Sequence, residues 1–319
     1  MRIVDFTAAH IEQAMRIAKL NYDEERGFAP ALPPIGAVPD LAPYAGNSLG
    51  VAAFENGQML GFLCCVSPFN NAFSSTDAVG VFSPMGANGA LGENRAMVYA
   101  RMYQAAGEKW VRAGASSHAI CLYAHEKEIQ RQFFLYGFGM RCVDAIRRLD
   151  DITEPTCDGF AFSEIAADEA LEVLPLENLQ HKGFIESPFF LLRSEHSEND
   201  WLRYWAASDP VCFAAKHESR TIAYILAESD GENFIRDTEG YLHITGMYCL
   251  PEHRGQGVSH KLLNLLIQKL RGNGYTRLGA DFESINPSGF GFWTKHFTVY
   301  THSVVRRIDE YAIPPTHTS

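Results

Sequence analysis

The stretch Pro251–Leu263, PEHRGQGVSHKLL, combines an arginine, two glycines and the start of an apolar helical pattern. Its glycines allow a tight turn and a close approach of the backbone to a ligand. The first amides of the following helix have no partners within the helix, and the helix dipole adds partial positive charge there. Arg254 adds a guanidinium fork that matches phosphate oxygens. The stretch therefore predicts a cradle for a diphosphate.

Two familiar phosphate-binding loops fit this stretch poorly. The P-loop needs Gly-Lys-Ser/Thr after four spacer residues, and that run is absent. The dinucleotide fingerprint needs three glycines directly after a strand, whereas here the third glycine is missing and Pro251–Arg254 intervenes. Asp281, on the next predicted strand, could take the place of the acidic residue that binds the ribose, so a dinucleotide site stays an alternative. A glycine-rich turn without any ligand is the other alternative.

The elements that must position this cradle follow from the apolar pattern. A strand is predicted at Tyr241–Leu250, a helix from Val258 to about Arg271, and another strand at Leu278–Glu283. The first half of the chain has the same order of elements. AIRRLDDI (145–152) matches VVRRIDEY (304–311), and VRAG (111–114) matches RGNG (271–274), at offsets of 159 and 160 residues. Two landmarks at nearly one offset indicate an internal duplication, with two unrelated α/β segments as the alternative.

Met247–Ser259, MYCLPEHRGQGVS, resembles motif A of the GNAT superfamily of N-acetyltransferases. The family pattern is Q/R-x-x-G-x-G/A, and this chain has Arg254, Gly257 and Ser259 at those positions. Only Ser259 departs from the pattern, and it is still small. Downstream, Asn286-Pro287 and FWTKHF (292–297) resemble the family's later Asn … Phe-Tyr-x-Lys-x-Gly-Phe segment. The resemblance covers roughly residues 160–310.

The resemblance implies an α/β (α+β) fold of two tandem GNAT-like domains, each with a mixed, mostly antiparallel central sheet flanked by helices. The domains are expected at residues 1–152 and 153–319, joined near 150–159, with a disordered tail at 313–319. The corresponding stretch, SPMGANGALGENR (83–95), has glycines, but no Arg or Gln stands three residues before one of them as the family pattern requires. The first domain is therefore expected to be degenerate, with a second CoA pocket as the alternative. The layout is similar to acetyltransferases of the mycothiol synthase type.

The resemblance also implies an acetyl-CoA site in the second domain. Backbone groups of Met247–Cys249 would pair with the pantetheine arm, amides of Gly255–Ser259 would hold the pyrophosphate, and Asn286 would lie near the thioester. The residues implied in cofactor binding are Met247, Tyr248, Cys249, Arg254, Gly255, Gln256, Gly257, Val258, Ser259, Asn286 and Trp293.

Acetyl transfer needs a group that takes a proton from the amine and a group that protonates the leaving thiolate. Glu283 and His243 are the leading base candidates and rank level, with a buried strand histidine as the structural alternative for His243. Trp293 stands where many relatives have the tyrosine acid, so Tyr300 is the candidate acid, with Tyr248 or water as substitutes. Gly246 is a predicted bulge at which the central strands separate.

The sequence thus predicts an acetyl-CoA-dependent N-acetyltransferase in which the amine of a small molecule attacks directly in a ternary complex. The alternative is a CoA-binding regulatory or non-catalytic protein. The net charge of −11 argues against nucleic acid as a partner. Seven cysteines without a CxxC pair, and no apolar run long enough to span a bilayer, indicate a cytoplasmic protein without a membrane partner. The twelve histidines show no HxxxH spacing, so no metal is expected. A monomer or a homodimer is expected.

Overall fold

The computed structural model describes residues 1–74, 78–153, 156–231 and 233–313. The predicted disordered tail lies, from residue 314, outside the described residues, as do two residues of the predicted junction at 150–159. The described strands are β1 (Arg2–Asp5), β2 (Val51–Glu55), β3 (Gln58–Leu63), β4 (Gly80–Ser83), β5 (Asn88–Ala90), β6 (Ser117–Tyr123), β7 (Gly139–Arg148), β8 (Ala161–Glu164), β9 (Val211–His217), β10 (Arg220–Glu228), β11 (Tyr241–Cys249), β12 (Arg277–Glu283) and β13 (Thr298–Arg307). The described helices are α1 (Ile11–Phe28), α2 (Ala42–Ala45), α3 (Arg95–Arg112), α4 (Lys127–Leu135), α5 (Leu174–Gly183), α6 (Glu198–Ser208), α7 (Val258–Gly272) and α8 (Pro287–His296).

The chain divides into two compact units, and the division differs from the boundary predicted at residue 152. The first unit comprises Met1–Val143 and the C-terminal segment from Val299, and the second comprises Asp144–Thr298. Strand β13 belongs to the first unit because it pairs antiparallel with β6, from Thr301 opposite Tyr123 to Arg307 opposite Ser117. Strand β7 passes from the first unit to the second between Val143 and Asp144.

The first unit contains an antiparallel sheet with strand order β1-β2-β3-β5. The turn between β2 and β3 has Asn56 and Gly57 at φ 49° and 82°, which confirms the hairpin turn that the sequence predicts there. In the same unit β6 lies between β4, which runs parallel to it, and β13. Helix α3 buries Met102, Ala106 and Trp110 in the core.

His118 on β6 makes the stability of this unit sensitive to acid. Its side chain is fully buried, and burial lowers its pKa from 6.5 to about 4. Below pH 6.5 the unfolded chain therefore binds a proton that the folded chain does not, so stability falls as the pH drops. We expect this histidine alone to remove about 2 kcal/mol of unfolding free energy between pH 7 and pH 5. Urea unfolding of the wild type and His118→Gln at both pH values checks this, because the pH dependence should be smaller by that amount in the variant.

The second unit has strand order β12-β11-β10-β9-β8. Strands β11 and β12 are parallel, and the other neighbours are antiparallel. Helix α7 begins after the predicted cradle and buries one apolar face, formed by Val258, Leu262, Leu263, Leu266, Ile267 and Leu270. It packs on β9 and β10, whereas α5 packs on β10 and β11. The α/β class with mixed, mostly antiparallel sheets is thereby confirmed. Among the described helices, none is both long enough and apolar enough to cross a bilayer.

Candidate functional site

The turn before α7 has unpaired amides facing open space. Gly255 and Gly257 adopt φ angles of 74° and 85°, a left-handed region that favours glycine. No side chain caps the helix, and no described residue accepts a hydrogen bond from the amides of Gly255–Ser259. No heavy atom lies within 4 Å of the position that a β-carbon on Gly255 would occupy. The turn therefore fits an anion such as a pyrophosphate.

Arg254 is fixed beside this turn. Its Nε donates to the carbonyl of Cys249 at 2.9 Å, and its guanidinium carbon lies 5.5 Å from the centre of the Tyr248 ring. The side chain is otherwise exposed. The Gln256 side chain instead donates to the Glu252 carbonyl at 3.0 Å, so Gln256 offers its backbone amide. The side chain of Val258 is buried in the core, and its amide likewise belongs to the turn.

The two central strands of the second unit, β11 and β12, separate after Ile244, ahead of the glycine turn. Parallel pairing between β11 and β12 runs from Tyr241 opposite Arg277 to Ile244 opposite Ala280 and goes no further. On the other side, β10 pairs Leu226 with Gly246 but Ala227 with Ile244, which leaves Thr245 as a bulge. The predicted bulge at Gly246 is thus confirmed. Met247–Cys249 pair with β10, and no described residue of β12 pairs with them, so one backbone edge is open to a ligand.

His243 lies in the paired part of β11 and is only 1% exposed. Its Nε2 is 2.7 Å from Asp281 Oδ1, and its Nδ1 is 2.7 Å from the Tyr241 hydroxyl. Both ring nitrogens are therefore engaged, so no lone pair remains to take a proton from a substrate. For His243, the structure therefore favours the structural alternative, a buried strand histidine, over the role of catalytic base. Glu283 lies two residues beyond Asp281 and accepts a hydrogen bond from Arg193 at 3.3 Å.

The other predicted site residues lie in different places. Tyr300 is fully buried on β13, the strand of the first unit that pairs with β6. Trp293 is buried in α8 against Phe292 and Phe297, with ring centres 5.0 and 5.4 Å away, which indicates core packing. Asn286 caps α8, since its Oδ1 accepts from the Gly289 amide at 3.0 Å.

A cavity of about 170 Å³ opens beside the bulge in β11. Its lining includes two carboxylates, two aromatic rings and the bulge itself, namely Glu177, Glu228, Trp201, Tyr204, Thr245 and Gly246. The indole of Trp201 donates to the Ala170 carbonyl at 2.8 Å, so this residue both packs in the core and walls the cavity. The cavity thus combines apolar walls with two carboxylates, a combination that suits an amine.

Glu228 is the carboxylate best placed to take a proton in this cavity. It is 6% exposed, ends β10, and accepts a hydrogen bond from the Tyr204 hydroxyl at 2.7 Å. Burial, and then the neighbouring Glu228, raise the pKa of Tyr204, which keeps that hydroxyl protonated as a donor. Tyr204 is the one described residue that donates a hydrogen bond to Glu228, so lone pairs remain for a ligand.

Sequence reasoning missed Glu177 and Glu228, although a signal for Glu228 existed. RTIAYILAE (220–228) is a buried strand that ends in a charge. A carboxylate that is buried at the end of an apolar strand needs a specific reason. Glu177 had a weaker signal, because its helix α5 also has exposed polar positions.

The corresponding helix start in the first unit differs mainly in its charge. The Asn94 carbonyl accepts from the amides of Met97 and Val98 at 3.1 and 3.3 Å, much as the Gly257 carbonyl accepts from the Lys261 amide in the second unit. Arg95 is bound by Glu24 and Glu126, whose carboxylates neutralise its charge. This place therefore lacks an exposed guanidinium like that of Arg254.

Comparison with known proteins agrees with this geometry. Residues 176–297 match the model of the acetyltransferase (GNAT) family. The fold is similar to a GCN5-related N-acetyltransferase from Sphaerobacter thermophilus, with a TM-score of 0.60 and 12% identity over 96% of this chain and 95% of that one. A tandem GNAT protein from the clavulanic acid biosynthesis pathway aligns at a TM-score of 0.44 and 12% identity, over 96% of this chain and 98% of that one. No curated protein matches the sequence.

The family match spans the cavity, the separated strands, the glycine turn and helix α8, which are the parts of the second unit described above. The family implies use of acetyl-CoA and an acyl acceptor. The second unit, through residues 176–297, is thus similar to the acetyltransferase (GNAT) family.

Proposed function

We propose that the second unit transfers the acetyl group of acetyl-CoA to the amine of a small molecule, by direct attack in a ternary complex. This proposal rests on one observation, namely that the separation of β11 from β12 and the acidic cavity lie next to each other. The strands β11 and β12 part after Ile244, and the acidic cavity is lined by the next two residues, Thr245 and Gly246. An acceptor in the cavity would lie beside the opening between the strands.

The cofactor would be held by backbone more than by side chains. The amides of Gly255–Ser259 and the guanidinium of Arg254 would bind the pyrophosphate. The open edge of Met247–Cys249 would pair with the pantetheine arm, and an amide there would face the carbonyl oxygen of the thioester. When bound, acetyl-CoA supplies the activated acyl group.

The acceptor amine must be neutral to attack, so a base has to take its proton. We assign this role to Glu228, which lines the cavity, and retain Glu283 as the rival. Trp201 and Tyr204 would provide an aromatic wall against the acceptor. Tyr248, in the separated part of β11, is the remaining tyrosine candidate for the acid, with water as the alternative.

The first unit is proposed to be a degenerate copy that does not bind CoA, because the arginine at its helix start is paired with Glu24 and Glu126. The second candidate function is a CoA-binding regulatory protein. It is favoured by Trp293, which stands where many relatives have the tyrosine acid and has no hydroxyl to donate a proton. Thiol release from acetyl-CoA with a panel of amines separates the two functions, since CoA binding without turnover on any amine supports the second.

Replacing Arg254 tests the cradle directly. We expect Arg254→Ala to weaken CoA binding by about 1.5–3 kcal/mol, because a charge-assisted hydrogen bond to phosphate is lost. Isothermal titration calorimetry with CoA measures this. Arg203→Ala is the matched control, since Arg203 is an exposed arginine of the same unit that pairs with Asp200. Equal affinities of the two variants for CoA would show that Arg254 does not bind the pyrophosphate.

A further inference from the structure

Three possible metal-binding side chains meet at one wall of the cavity. Glu177 and His181 lie one turn apart on α5, and the segment after that helix brings His196 to them. One ligand atom from each lies within 4.8 Å of the other two. Glu177 Oε1 and His181 Nε2 are 3.0 Å apart, and the two imidazole centres are 5.1 Å apart.

The tautomer of His181 is set by the backbone. Its Nδ1 lies 2.5 Å from the carbonyl oxygen of Ser194, and a carbonyl only accepts, so Nδ1 carries the hydrogen. In the neutral ring, Nε2 then presents a lone pair toward the Glu177 carboxylate. Either a proton on Nε2, favoured because the hydrogen bond to Glu177 raises the pKa of His181, or a metal ion bound by the two atoms would satisfy both. An imidazole whose other nitrogen donates to a carbonyl is the usual arrangement of a metal-binding histidine.

Neighbours also fix the backbone of His196 and the carboxylate of Glu177. Asn178, adjacent to Glu177, donates to the His196 carbonyl at 3.0 Å and accepts from the His196 amide at 2.8 Å. The Tyr224 hydroxyl donates to the second oxygen of Glu177. These contacts hold the His181 and Glu177 side chains and the His196 backbone, and they leave Glu177 Oε1 and His181 Nε2 in contact only with each other.

We propose that Glu177, His181 and His196 form a binding site for a divalent first-row metal ion of the zinc class. Two imidazoles and one carboxylate are a borderline donor set that suits Zn²⁺ better than Mg²⁺ or Ca²⁺. Three protein ligands leave a fourth position open, and Glu177 and His196 both line the cavity. That position takes water or a polar oxygen of an acceptor. The HxxxH criterion could not find this site, because the helical pair is a glutamate and a histidine.

The proposal is tested on the full chain after treatment with a chelator. Titration with Zn²⁺ in competition with a chromophoric chelator should give one tight equivalent, and His196→Ala should weaken it at least about 100-fold. His253→Ala is the control, since His253 also lies near another histidine, His217, with ring centres 5.1 Å apart. Tyr224→Phe, which removes a hydrogen bond to a ligand, should weaken binding about 10–100-fold.

The seven cysteines are a competing source of zinc ligands, so the ligand type must be measured independently. The Co²⁺-loaded protein should show the visible bands of nitrogen and oxygen ligands and no thiolate charge-transfer band in the near ultraviolet. Circular dichroism identifies any variant that fails to fold. The Co²⁺ spectrum of the wild type tests the type of ligand without any variant. A thiolate band, an absence of tight binding, or equal loss in His253→Ala would overturn the proposal. Failure of acetyl transfer would not affect it, because every readout here is metal binding.

Discussion

Glu228→Gln is expected to lower the rate of acetyl transfer at saturating acceptor by about 10²–10⁴-fold, the usual effect of removing a general base. The amide has the same shape and still accepts the hydrogen bond that Tyr204 donates at 2.7 Å, so the cavity should keep its form. It cannot take a proton from the amine. The affinity for CoA should be unchanged, because the cradle at Gly255–Ser259 is a separate part of the unit.

Stopped assays of thiol release with the best amine of the panel measure the effect. Glu283→Gln is the matched control, since Glu283 is a second carboxylate of the same unit that is paired with Arg193. We expect it to retain most of the activity. The assignment fails if Glu283→Gln loses more activity than Glu228→Gln, and thermal melts must show that both variants are folded.

Gly279→Ala is expected to destabilise the protein by about 3–5 kcal/mol, which combines overpacking with a broken buried hydrogen bond. A β-carbon on Gly279 would lie 1.8 Å from the Tyr241 hydroxyl oxygen and 2.8 Å from His243 Nδ1. The ring of Tyr241 is buried and bonded to His243, so it has little room to move aside. The substitution should therefore disrupt the chain of hydrogen bonds from Tyr241 through His243 to Asp281.

Urea unfolding measures this change, with Gly272→Ala as the control. Gly272 ends α7, and a β-carbon there would have no heavy atom within 4 Å, so we expect little change or a slight gain in stability. The double variant Gly279→Ala/Tyr241→Phe should recover part of the loss, because the closest clashing atom is removed. A Gly279→Ala variant as stable as the wild type would show that the strands can move apart at that point.

The sequence sufficed for the parts of the site that depend on local geometry. The glycine turn, the bulge at Gly246 and the order of strand, turn and helix are each specified by a few adjacent residues, and all three are present. The cap formed by Asn286 also depends on adjacent residues only, although the resemblance had implied a place near the thioester for this residue. Such features follow from backbone preferences that act within one turn or one strand.

The parts that depend on distant contacts could not be predicted in this way. Glu177 and Glu228 lie 51 residues apart on α5 and β10, and only the folded sheet brings them to one cavity. His243 was a plausible base until its two partners, one of them 38 residues away, were known. Tyr300 was placed by its proximity in sequence to α8, but its strand pairs with β6.

The position of β13 has a consequence for biosynthesis. The first unit needs a strand that begins at Thr298, so it stays incomplete until almost the whole described chain has left the ribosome. The second unit has all its residues available earlier, and its turn and cavity can form first. Pairing of β6 with β13 then closes a loop of nearly 180 residues, a step whose entropic cost grows only slowly with length. Truncation of the chain before Thr298 would therefore damage the first unit, which is built mainly from residues far upstream of the cut.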